Sequence, residues 1–174
     1  MGRRQAERFQ KAGEDQRSIG FRCRHRGSPV RLYLDTSAIV KLYVDEDGSS
    51  LVRKAIEGAE TVATSLVTYV EGRAAFSRRR REGMLITSDH NRIVRDFDHE
   101  WDRYFIIDVT NSLVKSAGKV ADIHALRGYD AIHLASADFF HEKIREPVTF
   151  GCWDSRLEAA ARRQGLHLLR TQAQ

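Results

Sequence analysis

Four acidic residues are the side chains of this sequence most able to do chemistry, and each lies where a carboxylate has little structural purpose. Asp35 and Asp154 each follow a short apolar run. Asp130 begins an apolar helical pattern, and Glu71 lies in the middle of another. If the fold brings these side chains together in a poorly solvated cleft, a cation has to offset their mutual repulsion. The set therefore predicts a Mg²⁺ or Mn²⁺ site of the kind that hydrolyses phosphodiesters.

Two Mg²⁺ ions roughly 4 Å apart would account for all four carboxylates. One ion would polarise the phosphate and lower the pKa of an attacking water, and the other would stabilise the leaving oxygen. Mg²⁺ prefers oxygen ligands and retains several waters, so carboxylates without Cys or His are the right chemical set.

Three of the four acids also have an ordinary structural explanation. Asp35, Asp130 and Asp154 lie at or near predicted helix starts, where Asp is a favoured N-cap and negative charge suits the helix dipole. Taken alone, each is better explained as a cap than as a ligand. For Asp154 a rival cap exists, because Ser155 and Glu158 make a capping box that would leave Asp154 free.

Glu71 has no such explanation. It lies mid-helix and shares its predicted face, turned toward the core, with Val67, Val70, Ala74 and Ala75. An ionised carboxylate buried there without a partner costs several kcal/mol. We therefore expect a metal ion to satisfy it.

Strand and helix patterns alternate from residue 30 onward. Short apolar runs predict strands at 30–34, 60–64, 105–107, 147–150 and 167–169. Helical periodicity predicts helices at 36–44, 49–58, 65–82, 129–143 and 155–164, with one more capped by Ser88 and one capped by Thr110 and ended at Gly128. This alternation predicts a parallel α/β sheet covered on both faces. In such sheets ligands bind beyond the carboxyl ends of the strands, which is where Asp35 and Asp154 lie.

Length and composition indicate one globular domain. The 174 residues, 41% of them apolar, are enough for a real core. The net charge of +5 resides in residues 1–29, which hold eight Lys/Arg against three Asp/Glu. We expect a flexible basic extension at 1–29 and the domain at 30–174. Two cysteines are too few for a disulfide framework, and no run fits a signal peptide or a membrane span, so we expect a cytoplasmic protein.

These residues and their surroundings resemble the motifs of PIN-domain ribonucleases, specifically the VapC toxins of bacterial toxin–antitoxin pairs. The resemblance runs from about Val30 to Leu169. It is carried by four blocks in order: Leu-Asp-Thr-Ser-Ala at 34–38 with Lys-Leu-Tyr at 41–43, Ser65 followed by Glu71, Gly-Tyr-Asp-Ala-Ile-His-Leu-Ala at 128–135, and Thr149-Phe150 through Asp154. The first and third blocks are fairly specific.

The resemblance implies an α/β/α sandwich around a central, mostly parallel sheet of about five strands. It also implies a Mg²⁺- or Mn²⁺-dependent endoribonuclease that cleaves an RNA substrate, forms a homodimer and is inhibited by a VapB-like antitoxin. By position, Asp35, Glu71, Asp130 and Asp154 carry over as the catalytic and metal-binding acids. Ser37 is a weaker candidate for orienting a metal-bound water.

The sequence departs from the family pattern in two places. The family usually begins almost at the first strand, so residues 1–29 are unexplained. Its last motif commonly reads Thr-Phe-Asp, whereas here Gly-Cys-Trp at 151–153 precedes Asp154. Asp154 is therefore the least secure ligand.

Other polar side chains near these motifs have competing explanations. The arginines at 78–81 suit either RNA phosphates or the dipole at a helix end, with equal weight. His133 lies one helical turn after Asp130 and is better explained as a structural histidine than as a partner of the acids. Asp138 is expected to be peripheral. Trp153 is expected to pack over the sheet edge rather than stack on a base.

Other functions fit the sequence less well. Haloacid-dehalogenase-type phosphatases need a second acid two residues after the first, and here that position is Ser37. Neither a phosphate-binding loop nor Gly-x-Gly-x-x-Gly is present. A catalytically silent PIN-like module that binds RNA or protein is the remaining alternative, although such a role would tolerate loss of the acids.

Overall fold

The structure is a computed structural model that describes residues 30–170. Its strands are β1 (Val30–Leu34), β2 (Ala59–Ser65), β3 (Phe105–Ile107), β4 (Val148–Gly151) and β5 (His167–Leu168). Its helices are α1 (Thr36–Tyr43), α2 (Ser49–Glu57), α3 (Val67–Arg81), α4 (Thr87–Glu100), α5 (Asn111–His124), α6 (Gly128–Ile144) and α7 (Ser155–Arg163), with a 3₁₀ turn at Trp101–Arg103. The predicted extension at 1–29 lies outside the described residues.

The five strands form one parallel sheet in the order β3-β2-β1-β4-β5. β1 is central, so that Tyr33 pairs with Ala63 of β2 on one side and with Phe150 of β4 on the other. Along the chain, β1, β2 and β3 run from the centre of the sheet to one edge. The next strands, β4 and β5, then lie on the other side of β1. The carboxyl ends of β1 and β4 therefore meet at a topological switch point, the usual place for a ligand in an open α/β sheet.

Helices cover both faces of the sheet because its strands are apolar on both faces. On one face Tyr33 and Phe150 pack with α5, α6 and α7. On the other, Leu32 and Leu34 pack with α1, α2, α3 and α4. These layers confirm the predicted α/β/α sandwich with its sheet of five strands. No helix within residues 30–170 is long and apolar enough to cross a bilayer.

Two predicted helix boundaries are wrong. Helix α4 begins at Thr87 without a side-chain cap, so Ser88 lies inside the first turn. Gly128 opens α6 and does not end α5. Helix α5 does end in a left-handed backbone conformation, but the residue that adopts it is Ala125, with φ of 51°, and not the predicted Gly128. Thr110 caps α5 as predicted.

Candidate active site

Asp35 lies at the carboxyl end of β1 and is the N-cap of α1. Its Oδ1 accepts hydrogen bonds from the Ala38 N–H at 2.9 Å and from the Ser37 hydroxyl at 2.7 Å. Its own N–H donates to the Gly151 carbonyl at 3.0 Å, which ties it to the end of β4. Asp35 is only 5% exposed. Burial raises the pKa of Asp35 to about 6, although the nearby His133 and these hydrogen bonds act in the opposite direction.

The Ser37 hydroxyl connects Asp35 to the loop that carries Asp154. It donates to both oxygens of Asp35, at 2.7 and 3.0 Å, and accepts a hydrogen bond from the Trp153 N–H at 2.8 Å. The Trp153 ring is partly buried against the core, with Lys41 Nζ 4.8 Å from its centroid. Because its proton is directed at Asp35, Ser37 holds the loop in place, and its role toward water stays a prediction.

Asp154 is exposed and is the N-cap of α7. Its Oδ1 accepts from the N–H groups of Arg156 and Leu157, both at 2.9 Å. The predicted capping box of Ser155 and Glu158 is wrong, since the helix already begins at Ser155. Within residues 30–170 the other oxygen of Asp154 accepts no hydrogen bond, so the residue can cap α7 and still offer its second oxygen to a ligand.

Glu71 does not lie on the buried face of α3, which corrects the predicted apolar stripe. The buried residues of this helix are Thr68, Gly72 and Phe76. Val70, which the prediction placed in the core, is 58% exposed. The face with Thr68, Gly72 and Phe76 packs inward, and Glu71 lies half-buried at its border.

Two side chains hold Glu71 there. The Thr36 hydroxyl donates to Oε2 at 2.5 Å, and His133 Nε2 lies 2.9 Å from the same oxygen. Burial by itself raises the pKa of Glu71, but hydrogen bonds from His133 and Thr36 outweigh it, so the pKa lies below its ordinary value. His133 therefore contacts an acid of the site, contrary to its structural explanation. Thr36 was not among the predicted site residues, although its place directly after Asp35 was a signal.

Asp130 lies in the first turn of α6 and is half-buried. Within residues 30–170 it has neither a hydrogen bond nor an ion pair. Burial raises the pKa of Asp130, and the negative charges of Asp154 and Glu71 raise it further, against the opposing effects of His133 and Arg127. Among residues 30–170, Asp130 is thus a carboxylate that no hydrogen bond or ion pair compensates, and the effects of His133 and Arg127 do not offset its burial.

The four acids form one electrostatic group, which we call the carboxylate cluster (Asp35, Glu71, Asp130 and Asp154). Glu71 raises the pKa of both Asp35 and Asp130, and Asp154 raises the pKa of Asp130. Within residues 30–170 no Lys or Arg forms an ion pair with any member. In the same residues no three His, Cys, Asp or Glu side chains converge closely enough to hold a metal ion. The cluster therefore has the charge of a cation site without a preformed cage.

The arginine run at the end of α3 divides into two pairs. Arg79 forms an ion pair with Glu46, and Arg78 lies 3.9 Å from Glu82 one turn further on. The last two arginines of the run, 80–81, are exposed and have no ion pair within residues 30–170. Contact with RNA phosphates stays a prediction for these two.

Known proteins resemble this chain both in sequence and in fold. The family model described as PIN domain matches residues 32–146. Ribonuclease VapC45 of Mycobacterium tuberculosis is 36% identical over 135 residues, which are 77% of this chain and 91% of that protein.

Solved structures with the same fold are more distant in sequence. PAE2754 from Pyrobaculum aerophilum has a TM-score of 0.57 and 20% identity, and the match covers 82% of this chain and 86% of that one. VapBC2 from Rickettsia felis, bound to a DNA fragment from its promoter, has a TM-score of 0.53 and 14% identity over 79% of this chain and 96% of the other. The family match and the relative from M. tuberculosis together show that this chain belongs to the PIN domain family, on its VapC branch.

Proposed function

We propose that this chain is a Mg²⁺- or Mn²⁺-dependent endoribonuclease and the toxin of a VapBC-type toxin–antitoxin pair. The observation that carries the proposal is the carboxylate cluster at the switch point of the sheet, in a chain whose relative in M. tuberculosis is named a ribonuclease VapC. A phosphodiester bound beside the carboxylate cluster adds further negative charge to four acids with which no Lys or Arg of residues 30–170 forms an ion pair. A divalent cation is the partner that such a substrate requires.

The donor set fits a hard divalent cation. Asp130 has no partner within residues 30–170, and burial raises the pKa of Asp35 to about 6, so neither charge is well compensated. Mg²⁺ is commonly bound by one or two carboxylates, with waters and substrate phosphates completing its coordination. The absence of a preformed cage among the described residues is compatible with such a site. Asp35 and Asp130 would hold the ion, with Glu71 and Asp154 at its sides.

The residues around the acids bind and orient them. Ser37 and the Ala38 N–H fix Asp35, while Thr36 and His133 fix Glu71. When bound, the ion supplies positive charge to the phosphate and lowers the pKa of an attacking water. Such hydrolysis leaves a 5′-phosphate and a 3′-hydroxyl on the two RNA products.

The test compares the wild type, Asp130→Asn and Asp138→Asn on total cellular RNA with Mg²⁺, Mn²⁺ or EDTA. Asp138 is the matched control, because it is a second half-buried acid on α6 and lies outside the carboxylate cluster. We expect discrete, metal-dependent cleavage by the wild type and by Asp138→Asn, and none by Asp130→Asn. Circular dichroism of all three proteins excludes loss of the fold as the cause.

Three results would contradict the proposal. Equal cleavage by all three proteins would mean a different site or a contaminating nuclease. No cleavage by folded wild type, whatever the metal, would favour the silent RNA- or protein-binding module. RNA products ending in a 2′,3′-cyclic phosphate would show attack by the 2′-hydroxyl of the RNA itself, which needs no metal-activated water.

The partners belong to the same proposal. Large apolar side chains are exposed on the described surface, and they would suit a homodimer contact and a VapB-like antitoxin in the cytoplasm: Val30, Leu66, Val70, Met84, Ile86, Val114, Ile123 and Tyr129. We expect a small protein encoded beside this chain to co-purify with it and to suppress RNA cleavage. Light scattering should give the mass of a dimer for the isolated chain. High expression of the lone chain without harm to the host would count against toxicity.

A further inference from the structure

A chain of hydrogen bonds runs from the centre of the sheet to the carboxylate cluster. Tyr33 on β1 is fully buried, and its hydroxyl lies 3.0 Å from Nδ1 of His133 on α6. Nε2 of the same imidazole lies 2.9 Å from Oε2 of Glu71 on α3. These hydrogen bonds thus join β1, α6 and α3, and they end on Oε2 of Glu71.

When the imidazole is neutral, the chemistry of the groups sets the direction of these bonds. An ionised carboxylate only accepts hydrogen bonds, so the hydrogen between Glu71 and His133 is carried by Nε2. In the neutral imidazole Nδ1 is then an acceptor, and the Tyr33 O–H is the group that donates to it. The opposite tautomer would place a bare nitrogen against a carboxylate, with no hydrogen between them. Tyr33 therefore supplies the partner that Nδ1 needs when Nε2 donates to Glu71.

The two oxygens of Glu71 have different surroundings. Oε2 accepts from His133 and from the Thr36 hydroxyl, whose oxygen is also 3.1 Å from Nε2. Within residues 30–170 Oε1 accepts no hydrogen bond. Because Oε2 is held from two sides, Oε1 is the oxygen of Glu71 that remains available to a further ligand.

We propose that Tyr33 and His133 are positioning residues, which hold Oε2 of Glu71 through one imidazole tautomer so that Oε1 alone faces the bound cation. The cation in this statement rests on the proposed function, whereas the tautomer and the contact with Glu71 do not. Hydrogen-bonded partners that orient a ligand are worth about 10- to 100-fold in metal affinity when removed. A purely structural His133 would contribute to stability and have no such effect.

Packing does not explain the Tyr33 hydroxyl. The Tyr33 ring stacks on Phe150 with centroids 5.4 Å apart and meets the His133 ring edge-on at 6.2 Å. A phenylalanine would keep both ring contacts. Tyr33→Phe therefore removes the donor to Nδ1, together with the interactions of the hydroxyl with the Ser136 side chain and the Ser65 backbone, and leaves the core filled, so this variant is expected to fold.

The first readout is the histidine ¹⁵N spectrum of metal-free protein in EDTA, with the His133 signals assigned by their loss in His133→Asn. We expect the wild type to show the tautomer protonated at Nε2, with Nδ1 as a hydrogen-bond acceptor. In Tyr33→Phe the Nδ1 signal should move to the position of a free acceptor. A wild-type imidazole protonated at Nδ1, with or without a proton on Nε2, would overturn the inference, whatever the activity of the protein.

The second readout is the affinity for Mn²⁺, measured from the electron paramagnetic resonance of the free ion. His133→Asn keeps an amide near Nδ1 but cannot reach Glu71, and we expect it to weaken binding about 10- to 100-fold. His133→Gln extends an amide N–H toward the position of Nε2 and should recover most of this loss. Tyr33→Phe should weaken binding about tenfold or less, at the lower end of the same range.

The outcomes separate this inference from the proposed function. Wild-type affinity in both His133→Asn and Tyr33→Phe would overturn the positioning role while the metal-dependent nuclease stands. Equal losses in His133→Asn and His133→Gln would assign His133 to structure and overturn its role. Absence of Mn²⁺ binding by the wild type would overturn the proposed function and the role toward a cation together, and the tautomer would still be judged by the spectrum.

Discussion

Replacing Asp35 with asparagine should make the metal-free protein more stable. The side chain is 5% exposed, and burial raises its pKa from 3.8 to about 6. A tenfold change in proton affinity corresponds to about 1.4 kcal/mol, so the ionised carboxylate destabilises the folded protein by about 3 kcal/mol at neutral pH. Asparagine removes the charge and keeps an oxygen that can accept from the Ala38 N–H and the Ser37 hydroxyl, as Asp35 does now.

The sign of the effect depends on pH. Below pH 3.8 the carboxyl is protonated in both states, and Asp35 carries no penalty. Between pH 3.8 and about 6 the unfolded chain ionises first, so the stability of the wild type falls as the pH rises. Above about pH 6 the penalty is complete. The advantage of Asp35→Asn over the wild type should therefore grow from near zero at pH 4 to about 3 kcal/mol at pH 7, or about 6 to 12 °C in Tm.

Urea unfolding in EDTA at pH 4, 5, 7 and 8, followed by circular dichroism, measures this difference. Asp122→Asn, at an exposed position of α5, is the control and should match the wild type throughout. Mg²⁺ should then stabilise the wild type more than Asp35→Asn, because a ligand adds stability only to the state that binds it. If Asp35→Asn is no more stable than the wild type at pH 7, or differs from it equally at every pH, burial does not penalise this charge.

Two further predictions concern the surroundings of the site. Gly48 has φ of +86° and an added Cβ would lie 2.4 Å from the Trp153 ring, so Gly48→Ala should lower the free energy of unfolding by about 2–4 kcal/mol. Gly83→Ala, at φ of +76° in open space, should cost only about 1–2 kcal/mol, and equal losses in urea would refute the steric argument. Cys152 is buried, and burial raises the pKa of its thiol well above the usual range. In a Cys23→Ser background Ellman's reagent should therefore label Cys152 only after denaturation, and fast labelling of the folded protein would contradict this.

The fold could be predicted because its signals are local. Most strands are short and largely apolar, and each lies next to a helical pattern, so that alternation alone indicated a parallel sheet. Asp35 and Asp154 lie just after β1 and β4, and they could be predicted as site residues because ligands bind at the carboxyl ends of such strands. Helix boundaries were less certain, because Ala125 adopts a left-handed conformation that the prediction reserved for glycine.

The environment of Glu71 could not be predicted in the same way. Helix α3 packs Gly72 closely against the Phe97 ring. An added Cβ at Gly72 would lie 3.2 Å from that ring, so this position needs a small residue. A count of apolar residues instead favours the face with Val70, which is exposed. The contact between Glu71 and His133 depends on how α3 and α6 cross the sheet, and no local pattern encodes that geometry.

The order of the strands also affects when the site is completed during synthesis. The hydrogen bond from the Trp153 N–H to the Ser37 hydroxyl joins residues 116 positions apart. A ribosome that adds about 5–20 residues per second needs about 6 to 23 s for that stretch. Until β4 is made, the loop bearing Asp154 does not exist, and Asp35 has no Gly151 carbonyl to bind. Under the proposed function, a growing toxin chain therefore cannot attack RNA near the ribosome that is making it until the segment with β4 and Asp154 has been made.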